Sequence, residues 1–166
     1  MNIRRWWFER SISPVHSSSH YYQDRKNQVI GIISDLENSL EESKIIQKYF
    51  NKAGTNIYQL HYTQNPPVDN SYFFSNKDIK WPGIPKSDLV NIFLERQYDI
   101  CFFLITKPSL PLEYLLRTVK SSLKIGFHYE NYEPFMDFSL KVTKEPTTEV
   151  MVKNLIREAD QLLFKI

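Results

Sequence analysis

Six side chains able to bind a ligand or move a proton fall at or just past the ends of apolar runs: Asp35, His61, Thr106, Lys107, Ser109 and His128. Open parallel α/β sheets bind ligands outside the C-terminal ends of their strands, near the reversal in strand order. If the runs are strands of such a sheet, these six are the candidate site. Asp35 suits a general base or a metal ligand. His61 and His128 titrate near neutral pH and suit acid–base work if their strands are neighbours. Lys107 stands beside a helix start whose free N–H groups favour an anion, with the Thr106 and Ser109 hydroxyls next to it. Each also has a plainer origin, because strand ends and turns are polar in any fold.

The motifs that would turn these residues into a known machine are missing. There is no G-x-G-x-x-G, no lysine-containing phosphate loop, no G-x-S-x-G elbow around Ser34 or Ser109 and no H-E-x-x-H helix. His16 and His20 are four apart but lie in a serine-rich stretch without an acidic partner, so no metal site is expected. No cofactor is expected either. Cys101, the single cysteine, sits inside an apolar run and reads as a buried, inert thiol.

The elements that must position the candidates centre on 98–106, YDICFFLIT, in which Ile100 to Ile105 carry no charge and no breaker. A strand wet on one face alternates, so this one is covered on both faces and is central. QVIGIIS (28–34), rich in β-branched residues and closed by Asp35, is the first strand of the chain. IYQLHY (57–62) alternates and suits a more exposed position, and 123–128 and 135–142 complete the set. Helices are expected over 40–52 with Ser39 as cap, 88–97 with Ser87 as cap, 110–120 with Ser109 as cap, and 149–164. The connection 66–85 is long and aromatic, which suits a flap whose Trp81 plugs the core edge or a cover over a site. The result is an α/β fold: a three-layer Rossmann-like or flavodoxin-like domain with a mostly parallel sheet of about five strands.

Residues 27–166 are read as that single domain and 1–26 as an N-terminal arm. Arg4-Arg5-Trp6-Trp7-Phe8 is basic and aromatic, fit to pack on the domain, on a second copy as a homodimer, or on a membrane or partner surface. The net charge of +2 argues against nucleic acid. No apolar run nears the roughly 18 residues of a membrane helix, so no integral membrane segment and a cytoplasmic location are expected.

Four stretches carry a resemblance: NQVIGIISD (27–35), FSNKDIKWPG (74–83), 93–103 with Tyr98-Asp99 before the buried strand, and KIGFH (124–128). They resemble a family of uncharacterised small Bacteroidetes proteins, a domain of unknown function, over roughly 25–165. That likeness implies no activity or cofactor. Tyr98-Asp99 and the K-I-G-F strand are also similar to the N-terminal Rossmann-like half of heptosyltransferase-like glycosyltransferases, whose nucleotide-sugar-binding half has no counterpart here. Two functions follow: a non-catalytic domain acting through protein contacts or a small anionic ligand, or a small enzyme or enzyme relic acting on a phosphorylated or sugar-nucleotide substrate.

Overall fold

The computed structural model describes residues 2–15, 27–51, 54–65, 72–141 and 148–164. His16 and His20 lie outside them. The arm begins as a helix, α1 (Ile3–Arg10), capped by the Asn2 side chain, which accepts from the Arg4 N–H at 3.0 Å. Strand β1 (Val29–Asp35) leads into α2 (Leu36–Asn51). Ser39 leaves helical geometry at φ −139°, ψ 25°, so the expected cap position is instead a kink inside a longer helix.

Strand β2 (Asn56–Thr63) is followed by the short β3 (Phe73–Ser75). Ser75 and Asp78 then close a capping box around one turn of 3-10 helix. A small hairpin, β4 (Ile79–Lys80) and β5 (Ile84–Pro85), completes the aromatic connection. Trp81 does not plug the core edge: it is 63% exposed at the tip of that hairpin, while its neighbours Pro82 and Gly83 are buried.

Next come α3 (Asp88–Glu95), capped by Ser87, and β6 (Gln97–Leu104). They are followed by α4 (Leu110–Thr118), β7 (Lys120–Phe127), β8 (Phe138–Leu140) and α5 (Thr148–Phe164). The main sheet has six strands in the order β3-β2-β1-β6-β7-β8, all parallel. The sixth strand, β3, lies where Tyr72-Phe73-Phe74 suggests a short extra strand within the aromatic connection.

Alternation along β6 divides the core. Ile100, Phe102 and Leu104 join Ile30 and Ile32 of β1 under α2 and α5, while Cys101, Phe103 and Ile105 join Ile33 under α3 and α4. Each face is therefore covered by two helices, which is why the run from Ile100 to Ile105 has no polar position. Burial pushes the Cys101 thiol well up, so it packs and does not react.

Close packing between β6 and β7 makes one glycine essential. A Cβ on Gly126 would lie 2.1 Å from the Phe103 carbonyl oxygen, a backbone atom that cannot move without breaking the ladder. At Gly31 the nearest atoms, Cys101 Sγ and the Tyr98 ring, are side chains at 3.0 Å. Gly126→Ala is expected to destabilise by about 3 kcal/mol or more and Gly31→Ala by clearly less. Urea unfolding followed by circular dichroism checks the order, and equal losses would refute this account of the packing.

Candidate functional site

The strand order reverses between β1 and β6, because β2 and β3 extend the sheet on one side and β7 and β8 on the other. At this point the Ser39 side chain bridges the two strand ends. Its hydroxyl accepts from the Asp35 N–H at 3.1 Å and lies within hydrogen-bond reach of the carbonyl oxygens of Asp35, at 2.8 Å, and Leu104. The kink in α2 thus serves the strands below it, and the crevice is tied shut on that side.

The predicted residues divide between the two faces. Ser34 shares the face of Ile32, and Asp35 that of Ile33. His61 lies on the Ser34 side. Its Nδ1 is 2.5 Å from Ser34 Oγ and its Nε2 is 2.9 Å from Gln59 Oε1, so Nε2 carries the proton and Ser34 donates to Nδ1. Burial lowers the His61 pKa to about 4 and keeps the ring neutral. A serine donating to a neutral histidine has nucleophile–base geometry, but at 0% and 3% exposure the pair has no room for a substrate.

His128 is on β7, with Nδ1 3.1 Å from Ser139 Oγ of β8. Two strands separate β2 from β7, which puts the two histidines' backbones about 14 Å apart at the usual strand spacing. The strands are not neighbours, so His61 and His128 do not converge. Lys107 is exposed on the turn after β6.

The loop from Thr106 to Ser109 is held from below by two tyrosines. The Tyr129 hydroxyl donates to the Thr106 carbonyl. The Tyr132 hydroxyl accepts from the Ser109 N–H at 2.9 Å and lies 3.2 Å from the Ser109 carbonyl oxygen. Burial, and secondarily the Asp35 carboxylate, push the Tyr129 phenol up. Within this fixed loop the Thr106 Oγ1 and Ser109 Oγ atoms are both buried with no hydrogen-bond partner among the described residues. Ser109 holds the N-cap position of α4 without making the cap bond expected of it.

Ser109 opens onto a cleft of about 360 Å³ between α4, α1 and the 3-10 turn. Its polar lining is Arg4, Tyr62, Asn76 and Ser109, with Leu110 and Pro111 of α4 beside them. Among the described residues no lining side chain is acidic. Tyr62 donates to Asn76 Oδ1 at 2.7 Å, and Arg4 Nε donates to the Pro82 carbonyl at 2.7 Å. Of the six sequence candidates only Ser109 lines it.

Arg4 is in place because α1 is fastened to α4 by a closed ring of four charges. Glu113 accepts from Arg5 at 2.5 and 2.8 Å and pairs with Arg117 at 2.5 Å. Glu9 pairs with the same two arginines, at 2.5 Å each. Glu113 and Arg117 are buried. Arg117 also stacks on Phe135, 4.2 Å from the ring centre. These partners hold the Arg5 guanidinium above its usual pKa, chiefly through Glu113, and the Glu9 carboxyl below its own, chiefly through Arg117. The ring was visible in sequence only as the spacings Arg5–Glu9 and Glu113–Arg117, each i,i+4. Arg4, Tyr62 and Asn76 gave no motif.

The family model for a family of unknown function, DUF6913, matches residues 2–157, from the start of α1 into α5. The chain belongs to the DUF6913 family. No curated protein matches it. The match includes α1, so in the DUF6913 chain the arm is within the family's own extent. No helix among the described residues is long and apolar enough to cross a membrane, and no cluster among them could hold a metal ion.

Two outcomes test this geometry. His61 has its pKa lowered from 6.5 to about 4. The unfolded chain therefore binds the proton first as pH falls, and stability is full above pH 6.5 and declines toward pH 4. The loss is at most roughly 3 kcal/mol. In His61→Asn, the part of the decline between pH 6.5 and 4 due to this group should vanish in a urea series. Second, Glu113→Ala opens the ring and leaves the buried Arg117 with Glu9 of α1 as its carboxylate partner, and it is expected to destabilise by about 3 kcal/mol. Removing the exposed Lys44–Glu41 pair with Lys44→Ala should change stability by less than about 1 kcal/mol. Comparable losses in the two variants would show that the ring does not hold α1.

Proposed function

We propose that the DUF6913 chain is a non-catalytic binding domain for a small anionic ligand, held in the cleft at the N-terminus of α4. The observation that carries the reading is the cleft at the start of α4, whose polar lining among the described residues is Arg4, Tyr62, Asn76 and Ser109, with a cation and no carboxylate. The first turn of α4 adds its unpaired N–H groups and the positive end of the helix dipole.

Glu113, one turn into the helix, would oppose an anion if its charge were free. It is neutralised by Arg5 and Arg117. Tyr62 and Asn76 add polar contacts at the far wall, and a volume of about 360 Å³ suits a phosphorylated metabolite or sugar phosphate. Catalysis is disfavoured because the Ser34–His61 pair is buried under the other face, and neither Asp35 nor His128 lines the cleft.

Thermal-shift titration with inorganic phosphate, sugar phosphates and nucleoside diphosphates tests the proposal. At least one of them should raise Tm. Arg4→Ala should weaken that ligand about 10- to 100-fold, the range of a lost charge-assisted hydrogen bond. Stabilisation that survives Arg4→Ala unchanged, or no stabilisation by any of these ligands, would overturn the assignment.

A further inference from the structure

The face of α1 turned away from the body is not needed for the cleft, and it has its own character. Trp6 and Trp7 meet edge to face at 5.1 Å between ring centres, Trp7 reaches Trp81 at 5.7 Å, and the Arg10 guanidinium lies 4.1 Å over Trp6. The contacts form one continuous strip, Arg10–Trp6–Trp7–Trp81, built from two separate segments. Ile3, one helical turn before Trp7, extends it. Ile3, Trp7 and Trp81 are 69%, 44% and 63% exposed.

The charge ring decides the sign of this face. Of the four charges on α1, Arg5 and Glu9 are used within the ring and Arg4 lines the cleft, so Arg10 is left to this face and no acidic side chain of α1 is. Lys80, beside Trp81, is exposed as well.

We propose that this strip is a docking surface for an anionic lipid bilayer. Tryptophan combines an apolar ring with a polar N–H and settles at the membrane–water boundary, and basic side chains around it meet lipid headgroups of opposite charge. A second copy of the chain fits less well. A two-fold contact through the strip would set Arg10 against like charges, and a handful of side chains falls short of the roughly 20–30 residues a side of a stable protein interface. A bilayer needs no shaped counterpart and takes a few inserted rings.

All three tryptophans of the chain are in the strip. Tryptophan emission, excited beyond the tyrosine absorption band, therefore reports on this surface alone, without any variant. Full-length protein should co-sediment with vesicles of equimolar phosphatidylserine and phosphatidylcholine. It should bind phosphatidylcholine alone far more weakly, and brominated lipid in the anionic vesicles should quench its emission. Trp7→Ala with Trp81→Ala should weaken vesicle binding about tenfold or more, and Arg10→Ala about fivefold. Circular dichroism should show both variants folded. If either is not, the quenching of the unaltered protein decides. Absence of co-sedimentation, or binding without quenching, would overturn the proposal. So would a lipid-free dimer in ultracentrifugation that the double variant abolishes, since that would give the strip to a second copy.

Discussion

Parallel pairing between β1 and β6 is the constraint from which the other layers follow. Both strands are central, and their backbone groups must be satisfied by ladders on each side while their side chains are covered above and below. Two helices on each face meet that demand, α2 and α5 against Ile100, Phe102 and Leu104, α3 and α4 against Cys101, Phe103 and Ile105. The same pairing makes the strand order reverse at this point and collects the polar strand ends along one edge. Ser39 then binds the edge together by reaching from a kinked helix to the carbonyls of both strands.

Charge is handled in the same economical way. Glu113 and Arg117 are buried deeply enough that either alone would be strongly unfavourable. Arg5 and Glu9 complete their neutralisation, and in doing so fix α1 against α4. The Lys124 ammonium follows the same rule. It is buried on β7, donates to the carbonyls of Val15 at 2.6 Å and Leu116 at 3.1 Å, and so ties the segment after α1 down as well. Burial lowers its pKa, with Cys101 and Asp137 acting in the opposite direction. A basic N-terminal segment is thereby made part of the body, with one side of α1 at the cleft and the other in solvent.

The fold was largely legible in the residues. Six consecutive apolar positions announce a strand covered on both faces, and Ile45, Ile46, Tyr49 and Phe50 announce a helix with one apolar side. Ser87 is recognisable as a cap because its hydroxyl bonds the Val90 N–H three residues on. Tyr72-Phe73-Phe74 reads as a short extra strand, and β3 forms there because β2 offers a free edge. What escaped was local to another segment. Trp81 reads as a core plug from its type alone, yet its ring meets that of Trp7 on α1, 5.7 Å between centres. The arm's helicity rests on an Asn2 cap and on contacts with α4 that no local pattern contains.

The candidate site divides along the same line. Sequence by itself located the loop after the central strand, since apolar runs and turn residues are properties of neighbours in the chain. It also made Cys101 a packing atom, and it brought Ser109 to the start of a helix. Only the tertiary structure decided that His61 and His128 are apart, that His61 is sealed against Ser34, and that Arg4, Tyr62 and Asn76 face Ser109 across a cleft. Those relations depend on strand order and on which helix covers which face. Both are set by long-range pairing between segments whose own patterns fit several arrangements, so no reading of neighbours along the chain contains them.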